Sequence, residues 1–150
     1  MVPKEDIGLY RDDGLGVIRN CSSQRGEKIR KSFIEIFKRN NLKIEIKISK
    51  VADFLDVTFD LKKKIYKTYH KPNSETFYVN KLSNHPPKIL KQIPNSISVR
   101  ISNNSANEQI FNESAIYYNN ILRKSGYDDE ISYIENTDEK KKKKRKRNIL

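Results

Sequence analysis

The chain has 150 residues, which fits one domain and leaves too little length for two. Its 31 Lys and Arg residues outnumber its 19 Asp and Glu residues, and the net charge of +12 points to nucleic acid as a partner. Only 35% of the residues are hydrophobic and no Trp is present, so we expect a thin core that leans on a partner.

Simple counts exclude two further classes of structure. No apolar run reaches about 18 residues, so we expect no membrane-spanning helix and no membrane partner. Cys21 is the single cysteine, which excludes an intrachain disulfide and a cysteine-based metal cluster. The N-terminus lacks the apolar core of a signal peptide, and we therefore expect an intracellular protein.

The first predicted element is a tight hairpin close to the N-terminus. Residues 7–10 and 15–18 are short β-type runs, and they flank residues 11–14. Asp13-Gly14 between such runs favours a hairpin, because glycine accepts a positive φ. Alternation of side chains breaks at a turn, so Asp12 and Asp13 can both approach one point at the tip.

Two adjacent carboxylates repel each other, and a divalent cation would keep both ionised. Mg²⁺ prefers carboxylate and phosphate oxygens, and a pair of such ions about 3.5–4 Å apart clamps a phosphoryl transfer. Asp12 and Asp13 are therefore candidate metal ligands and catalytic residues. Ordinary turn chemistry is the alternative interpretation of Asp-Asp-Gly, and it stays open.

The next elements are a helix and a strand. Apolar residues at helical spacing predict an amphipathic helix over residues 24–40, with Ser22 or Ser23 as its N-cap and Asn40-Asn41 as its stop. Strict alternation of apolar and charged residues over 42–48 then predicts a half-buried strand.

A second hairpin is predicted from strands at residues 54–61 and 65–70, which Lys62–Lys64 connect and Pro72 closes. Residues 83–105 predict short helices that Pro86, Pro87 and Pro94 interrupt.

A longer helix follows, because apolar residues from Ile110 to Leu122 keep a clean helical spacing. Ser105 and Glu108 form a candidate capping box at its start, and Gly126 is the predicted stop.

The sequence ends in an acidic and then basic run without apolar periodicity, for which we expect disorder. Eight of the positive charges lie from Lys140 to Arg147, so the rest of the chain carries only 12 − 8 = +4. Three roles for this basic run stay open: a nuclear localisation signal, a phosphate-binding arm, or no role.

The order of short motifs resembles a known family. YRDD at Tyr10–Asp13 looks like the Tyr-x-Asp-Asp box of reverse transcriptases, with apolar residues on both sides. Together with the motifs downstream, the stretch from Ile7 to Tyr127 is similar to the palm-to-thumb region of retroelement reverse transcriptases, particularly the Penelope-like group. The downstream motifs are FLDV (54–57), YHKP (69–72), FYV (77–79), SNHP (83–86), KQIP (91–94) and Arg100.

The resemblance implies roles for individual residues. Asp12 would be the principal ligand of the metal pair, Asp13 a weaker partner, and Tyr10 a neighbour of the primer end. Residues 54–70 would correspond to the primer grip, and residues 83–127 to a helical thumb that holds a template–primer duplex of RNA or DNA.

Basic and aromatic residues downstream suit such a duplex, because lysine and arginine meet phosphates and tyrosine offers stacking. The alternative, a solvated lysine face and a tyrosine core edge, stays open. We expect structural roles for His70 and His85. The candidate nucleic-acid-binding residues are Tyr10, Lys67, Tyr69, Lys71, Lys88, Lys91 and Arg100, and the wider set adds Lys62–Lys64, Tyr66, Tyr78 and Lys81.

The pattern also departs from the family. A polymerase palm needs another aspartate from an earlier strand, and only nine residues precede Tyr10. We therefore expect a C-terminal fragment of a reverse transcriptase that binds Mg²⁺ weakly or not at all and is inactive alone. Two alternatives stay open: a non-catalytic nucleic-acid-binding remnant, and a module that docks on a separate chain carrying the missing palm.

The expected fold class is α+β, in three parts. Residues 1–72 would form a partial palm of hairpin, helix, strand and second hairpin. Residues 73–134 would form a thumb-like helical region, and residues 135–150 a disordered basic tail.

Overall fold

The computed structural model describes residues 6–72 and 76–135, and within these ranges the fold is mixed α+β. It contains two small antiparallel sheets and three helices. The predicted fold class is confirmed at this level. The predicted disorder of the tail concerns residues outside the described ranges, as does the basic run from Lys140 to Arg147.

The first hairpin consists of β1 (Asp6–Tyr10) and β2 (Asp13–Val17). Tyr10 pairs with Asp13, so the turn holds only two residues, and its positive φ of 51° is at Arg11 rather than at a glycine. The hairpin is confirmed, but its expected four-residue turn is wrong. Gly14 instead allows a close approach, since a Cβ there would lie 3.1 Å from the Leu9 side chain.

Helix α1 (Ser23–Arg39) agrees with the prediction at both ends. The Ser22 hydroxyl accepts a hydrogen bond from the Arg25 backbone amide, which satisfies one of the unpaired donors of the first turn. Asn40 caps the other end, and Asn41 takes a φ of 57°, the left-handed conformation that ends many helices.

The strand expected over residues 42–48 is not there, and no described part of the chain pairs with this segment. Alternating polarity predicts which side chains share a face, but a strand also needs a hydrogen-bonding neighbour. Leu42 and Ile48 are 58% and 52% exposed, while Ile44 and Ile46 are half-buried. The segment passes the first turn of α1, where the Ile48 side chain approaches Gly26.

The second sheet has the order β3 (Val51–Phe54), β4 (Val57–Asp60) and β5 (Ile65–Thr68), all antiparallel. The single strand expected over residues 54–61 is wrong, because the chain turns at Leu55-Asp56 and pairs Phe54 with Val57. Leucine seldom marks a turn, and here it takes a φ of 53°.

Helices α2 (Pro87–Asn103) and α3 (Glu108–Lys124) form a helical lobe with the extended segments beside them. The expected interruption by prolines is wrong. Pro86 and Pro87 start α2, where a missing N–H costs nothing, and Pro94 lies buried inside the helix. The Ser98 hydroxyl donates to the Pro94 carbonyl at 3.0 Å.

The capping box expected at Ser105 and Glu108 is also wrong. Asn107 caps α3 instead, with its side chain accepting from the Ile110 amide at 3.0 Å. Ser105 donates to a carbonyl of α2. The predicted stop is confirmed, since Gly126 has a φ of 84°.

The apolar core belongs to the helical lobe. Every buried hydrophobic side chain of the described residues falls between Ile97 and Ile131, so residues 6–72 contribute none. The segment after α3 runs over both helices, where the amides of Ser132 and Ile134 donate to the hydroxyls of Ser98 and Ser102. The core cluster is Ile97, Ile101, Phe111, Ala115, Tyr118, Leu122, Tyr127 and Ile131.

The second sheet rests on the helical lobe at the connection between α2 and α3. The Ala106 amide donates to the Tyr66 carbonyl at 3.0 Å, which fixes β5 beside this connection. Within the described ranges, no helix has the length and apolar character needed to cross a membrane.

Candidate nucleic-acid interface

Charge is distributed unevenly over the described residues. Residues 6–72 hold 16 basic and 9 acidic side chains, whereas residues 76–135 hold six of each. Helix α2 is the exception within the helical lobe, because its charged residues are Lys88, Lys91 and Arg100 alone. The lobe is therefore neutral as a whole but positive along α2.

Arg100 is held in a defined position by two tyrosines. Its Nη2 donates to the hydroxyls of Tyr78 and Tyr118 at 3.3 and 3.5 Å, both long hydrogen bonds. Its guanidinium also lies 5.7 Å from the centre of the Tyr118 ring, within cation–π range. Burial raises the pKa of Tyr118 to about 12, so its hydroxyl stays protonated at neutral pH.

His70 joins this group from the end of β5. Its ring centre lies 4.3 Å from that of Tyr117 and 5.1 Å from that of Tyr118. Burial lowers the pKa of His70, and the charges of Arg100 and Lys67 lower it further. Lys67 and Arg100, two of the predicted nucleic-acid-binding residues, therefore both lie close enough to His70 to influence its charge.

The other predicted binding residues lie elsewhere. Lys88 and Lys91 are exposed on the first turns of α2, and Arg100 follows Lys88 by about 18 Å of helix rise. Lys71 is exposed just after β5, and Tyr69 beside it is half-buried.

Tyr10 and the two aspartates lie in the first hairpin, in a different sheet from Lys67. Asp12 is in the turn, Asp13 begins β2, and both are exposed. Among the described residues, no three His, Cys, Asp or Glu side chains are grouped to hold a metal ion. Two adjacent carboxylates fall short of the ligand set of a two-metal centre, so we derive no chemical step through Mg²⁺.

Sequence reasoning missed the two α3 tyrosines of this group: Tyr118 contacts Arg100, and Tyr117 packs on His70. Tyr117 and Tyr118 are adjacent, their rings meet edge to face at 5.3 Å, and only Tyr118 is buried. The helical spacing placed Tyr118 on the core face. No signal in the sequence showed that its hydroxyl would reach Arg100 across the lobe.

The exposed face of α3 has a different character from α2. Its first half presents two carboxylates, which repel phosphates, and two amides and an isoleucine, which carry no positive charge to attract them. These residues are Glu108, Gln109, Asn112, Glu113 and Ile116.

Comparison with known protein families gives a match to the helical lobe. Residues 77–137 match the family model of the animal helix-turn-helix domain. The segment is similar to that domain. It includes α2, the four-residue connection 104–107 and α3, and it covers less than half of the chain. No curated protein and no solved structure matches the chain.

Proposed function

We propose that this chain is a non-catalytic nucleic-acid-binding protein. The observation that carries the proposal is a positive surface on which Arg100 of α2 contacts Tyr78 and Tyr118, while His70, just after β5, packs on Tyr117 of α3. All of these residues except His70 lie in the segment that is similar to a helix-turn-helix domain. We call this the Arg100 surface; it consists of Lys67, His70, Tyr78, Arg100 and Tyr117.

The Arg100 surface suits the sugar-phosphate backbone. A guanidinium binds phosphate oxygens through two parallel N–H donors, and it does so best when its orientation is already fixed. Tyr78 and Tyr118 fix it by accepting from Nη2. Lys67 adds a second cation, and Lys62–Lys64 extend the charge along the β4–β5 turn.

The charges also favour one helix over the other. In helix-turn-helix proteins the second helix enters the major groove. Here the second helix, α3, begins with Glu108 and reaches Glu113 before its first cation, Arg123, whereas α2 carries cations alone. We therefore place the backbone contacts on the Arg100 surface and α2.

The test is a salt titration of binding to a labelled duplex, with the full chain and with single-charge variants. Each phosphate contact contributes about −0.9 to the slope of log affinity against log salt. Arg100→Gln and Lys67→Gln should each reduce the steepness of that slope by about one. Lys28→Gln removes the same charge from α1 and should leave the slope unchanged.

The basic tail is a separate source of charge, so the titration is repeated with residues 140–147 deleted. The proposal expects the Arg100→Gln effect to persist without the tail. Binding that vanishes with the tail and ignores Arg100 would contradict it, and would leave generic electrostatics as the explanation.

A second candidate function is favoured by the order of motifs. We also propose that the chain derives from a retroelement reverse transcriptase, with Asp12 and Asp13 as remnants of its metal site. The exposed hairpin turn beside Tyr10 supports this origin. On this proposal the natural ligand is a template–primer, Mg²⁺ binds weakly, and polymerase activity requires a separate chain with the missing palm.

A further inference from the structure

A cleft of about 350 Å³ opens between the β3–β4 hairpin and the C-terminal end of α2. Its hairpin wall carries Phe54, Val57 and Phe59. The strand register places all three on one face, because Phe54 pairs with Val57 and Phe59 follows two residues later. Each of these side chains is half-buried, so apolar surface stays open to the cleft.

The turn at the rim of the cleft is well held. The Asp56 carbonyl accepts from the Tyr69 amide at 2.8 Å, which leaves the Asp56 carboxylate as the exposed group on the rim. Leu55 takes its positive φ here, a conformation that costs energy in any residue except glycine. Strain of this kind tends to occur where a turn shapes a binding site.

The opposite wall is polar. It is lined by Arg100, Asn103 and Asn104, at the C-terminal end of α2. Asn104 caps the helix with its backbone amide, which donates to the Arg100 carbonyl at 3.1 Å. Within the described ranges Arg100 forms no ion pair, so an incoming anion meets an uncompensated charge.

A cleft lined by two phenylalanines on one side and by an arginine and two asparagines on the other fits a flat heterocycle that carries an anion. Unstacked bases are bound in this way, by aromatic side chains and by hydrogen bonds to their edges. The volume lies near the lower end of small-ligand sites, which suits one nucleotide. A peptide carboxylate would also meet Arg100, but it would leave the ring wall without a flat partner.

We propose that this cleft binds one nucleobase with its phosphate, as an unpaired nucleotide of a strand or as a free nucleotide. The base packs on Phe54 and Phe59, Arg100 binds the phosphate, and the Asp56 carboxylate accepts from an exocyclic amino group. The strand-bound form rests on the proposed nucleic-acid binding, whereas the free-nucleotide form does not.

The test uses the full chain and a DNA duplex with one unpaired 2-aminopurine, compared with the same duplex fully paired. Stacking on the ring wall should make the bulged duplex bind about tenfold tighter and should quench the 2-aminopurine emission. Phe59→Leu keeps an apolar side chain in β4 but removes one of the two rings, so it should weaken both effects. Phe77→Leu is the matched control, because Phe77 is exposed outside the cleft.

Asp56→Ala is a second variant, for the case that Phe59→Leu unfolds the sheet. It should fold normally, because the hydrogen bond that holds this turn is made by the Asp56 backbone carbonyl. The wild type should prefer an unpaired adenine over an unpaired thymine, which lacks an exocyclic amino group. Asp56→Ala should remove that preference while the paired duplex binds as before.

The outcomes separate the two proposals. Equal binding of bulged and paired duplex, with no response of the Phe59 and Asn104 amides to AMP, would overturn the cleft proposal and leave nucleic-acid binding intact. Saturable amide shifts at Phe59 and Asn104 with AMP, without binding of either duplex, would support the cleft as a free-nucleotide site and overturn the proposed function. No response of these amides to AMP and no binding of either duplex would overturn both.

Discussion

The guanidinium of Arg100 lies over the ring of Tyr118 at 5.7 Å, and its Nη2 donates to the hydroxyl of the same tyrosine. The contact joins an exposed cation on α2 to a side chain of the lobe's core, of which only 3% is exposed. The orientation of Arg100 is thus set by the same packing that holds α2 against α3.

Tyr118→Phe should separate orientation from packing. The ring stays, so the core remains filled, but Arg100 loses one of its two tyrosine acceptors. We expect weaker duplex binding by about 0.5–1 kcal/mol, roughly two- to fivefold in Kd, with little change in unfolding free energy. Anisotropy titrations and urea unfolding measure the two effects.

Tyr127→Phe is the control, because the Tyr127 hydroxyl donates to the Val79 carbonyl at 3.0 Å, away from Arg100. It should lower stability without lowering affinity. If Tyr118→Phe left affinity unchanged, the tyrosine hydroxyl would have no part in positioning the guanidinium.

Thr68 carries a hydroxyl that is buried without a hydrogen-bond partner in the described part of the chain. A buried unpaired hydroxyl costs free energy, and valine fills the same shape without it. Thr68→Val should therefore raise the free energy of unfolding by about 1 kcal/mol in urea titrations.

Thr58→Val on the neighbouring strand is the matched control, and we do not expect it to raise the free energy of unfolding. The Thr58 hydroxyl donates to the Asp53 carboxylate, so its removal should destabilise slightly or have no effect. A loss of stability in Thr68→Val would mean that this hydroxyl has a partner after all, such as a bound water.

Gly126 ends α3 with a φ of 84°, which alanine adopts only with strain. A Cβ there would meet Lys81 at 3.5 Å, an ordinary contact, so the expected cost comes from the backbone alone. Gly126→Ala should lower the unfolding free energy by about 1–2 kcal/mol. Gly16→Ala, on a strand without positive φ, should change it little; similar losses in both variants would contradict this explanation.

His70 should make stability depend on pH. Burial, Arg100 and Lys67 hold its folded-state pKa below the usual 6.5, so between the two values the unfolded chain binds more protons. The stability that neutral His70 contributes is therefore fully present above about pH 6.5, and it is lost as the pH falls through the lowered pKa of the folded state. Thermal melts of wild type and His70→Gln across this range should converge at low pH, and a constant difference between them would argue against the effect.

Local signals in the sequence predicted the elements that local contacts form. Ser22 caps α1 and Gly126 ends α3 through interactions within a few residues, so the residue types at these positions were enough to predict both helix ends. The strand predicted over residues 42–48 was wrong because a strand requires a pairing partner elsewhere in the chain, which local sequence does not reveal. The strand predicted to run through Leu55 was wrong because the pairing of Phe54 with Val57 imposes a turn there, which leucine itself does not favour.

The candidate interface likewise depends on long-range contacts that local sequence does not reveal. Residue type identified Arg100 as a phosphate-binding candidate, but only the tertiary structure shows that it contacts Tyr78 and Tyr118 and that His70 packs on the adjacent Tyr117. The two tyrosines that contact Arg100, Tyr78 and Tyr118, come from segments on either side of α2 that are distant in sequence. Their convergence depends on tertiary packing, which no spacing pattern contains.

Both functional proposals expect Asp12 and Asp13 to support no catalysis in the isolated chain. If they are remnants, the purified chain should not extend a primer, and the double variant Asp12→Asn, Asp13→Asn should bind a duplex at least as well as wild type. Removal of two negative charges can only favour an anionic ligand, and the effect should shrink as salt screens it. Mg²⁺ at constant ionic strength should likewise leave wild-type binding unchanged.

Primer extension and anisotropy, each with and without Mg²⁺, measure these outcomes on the full chain and on the double variant. Templated synthesis by wild type above the level of the double variant would show a working metal site and overturn the non-catalytic proposal. Mg²⁺-dependent binding that disappears in the double variant, without synthesis, would instead assign the aspartates to ligand binding. We expect neither outcome, because Asp12 in the turn and Asp13 at the start of β2 are both exposed, and no third carboxylate is grouped beside them in residues 6–72 and 76–135.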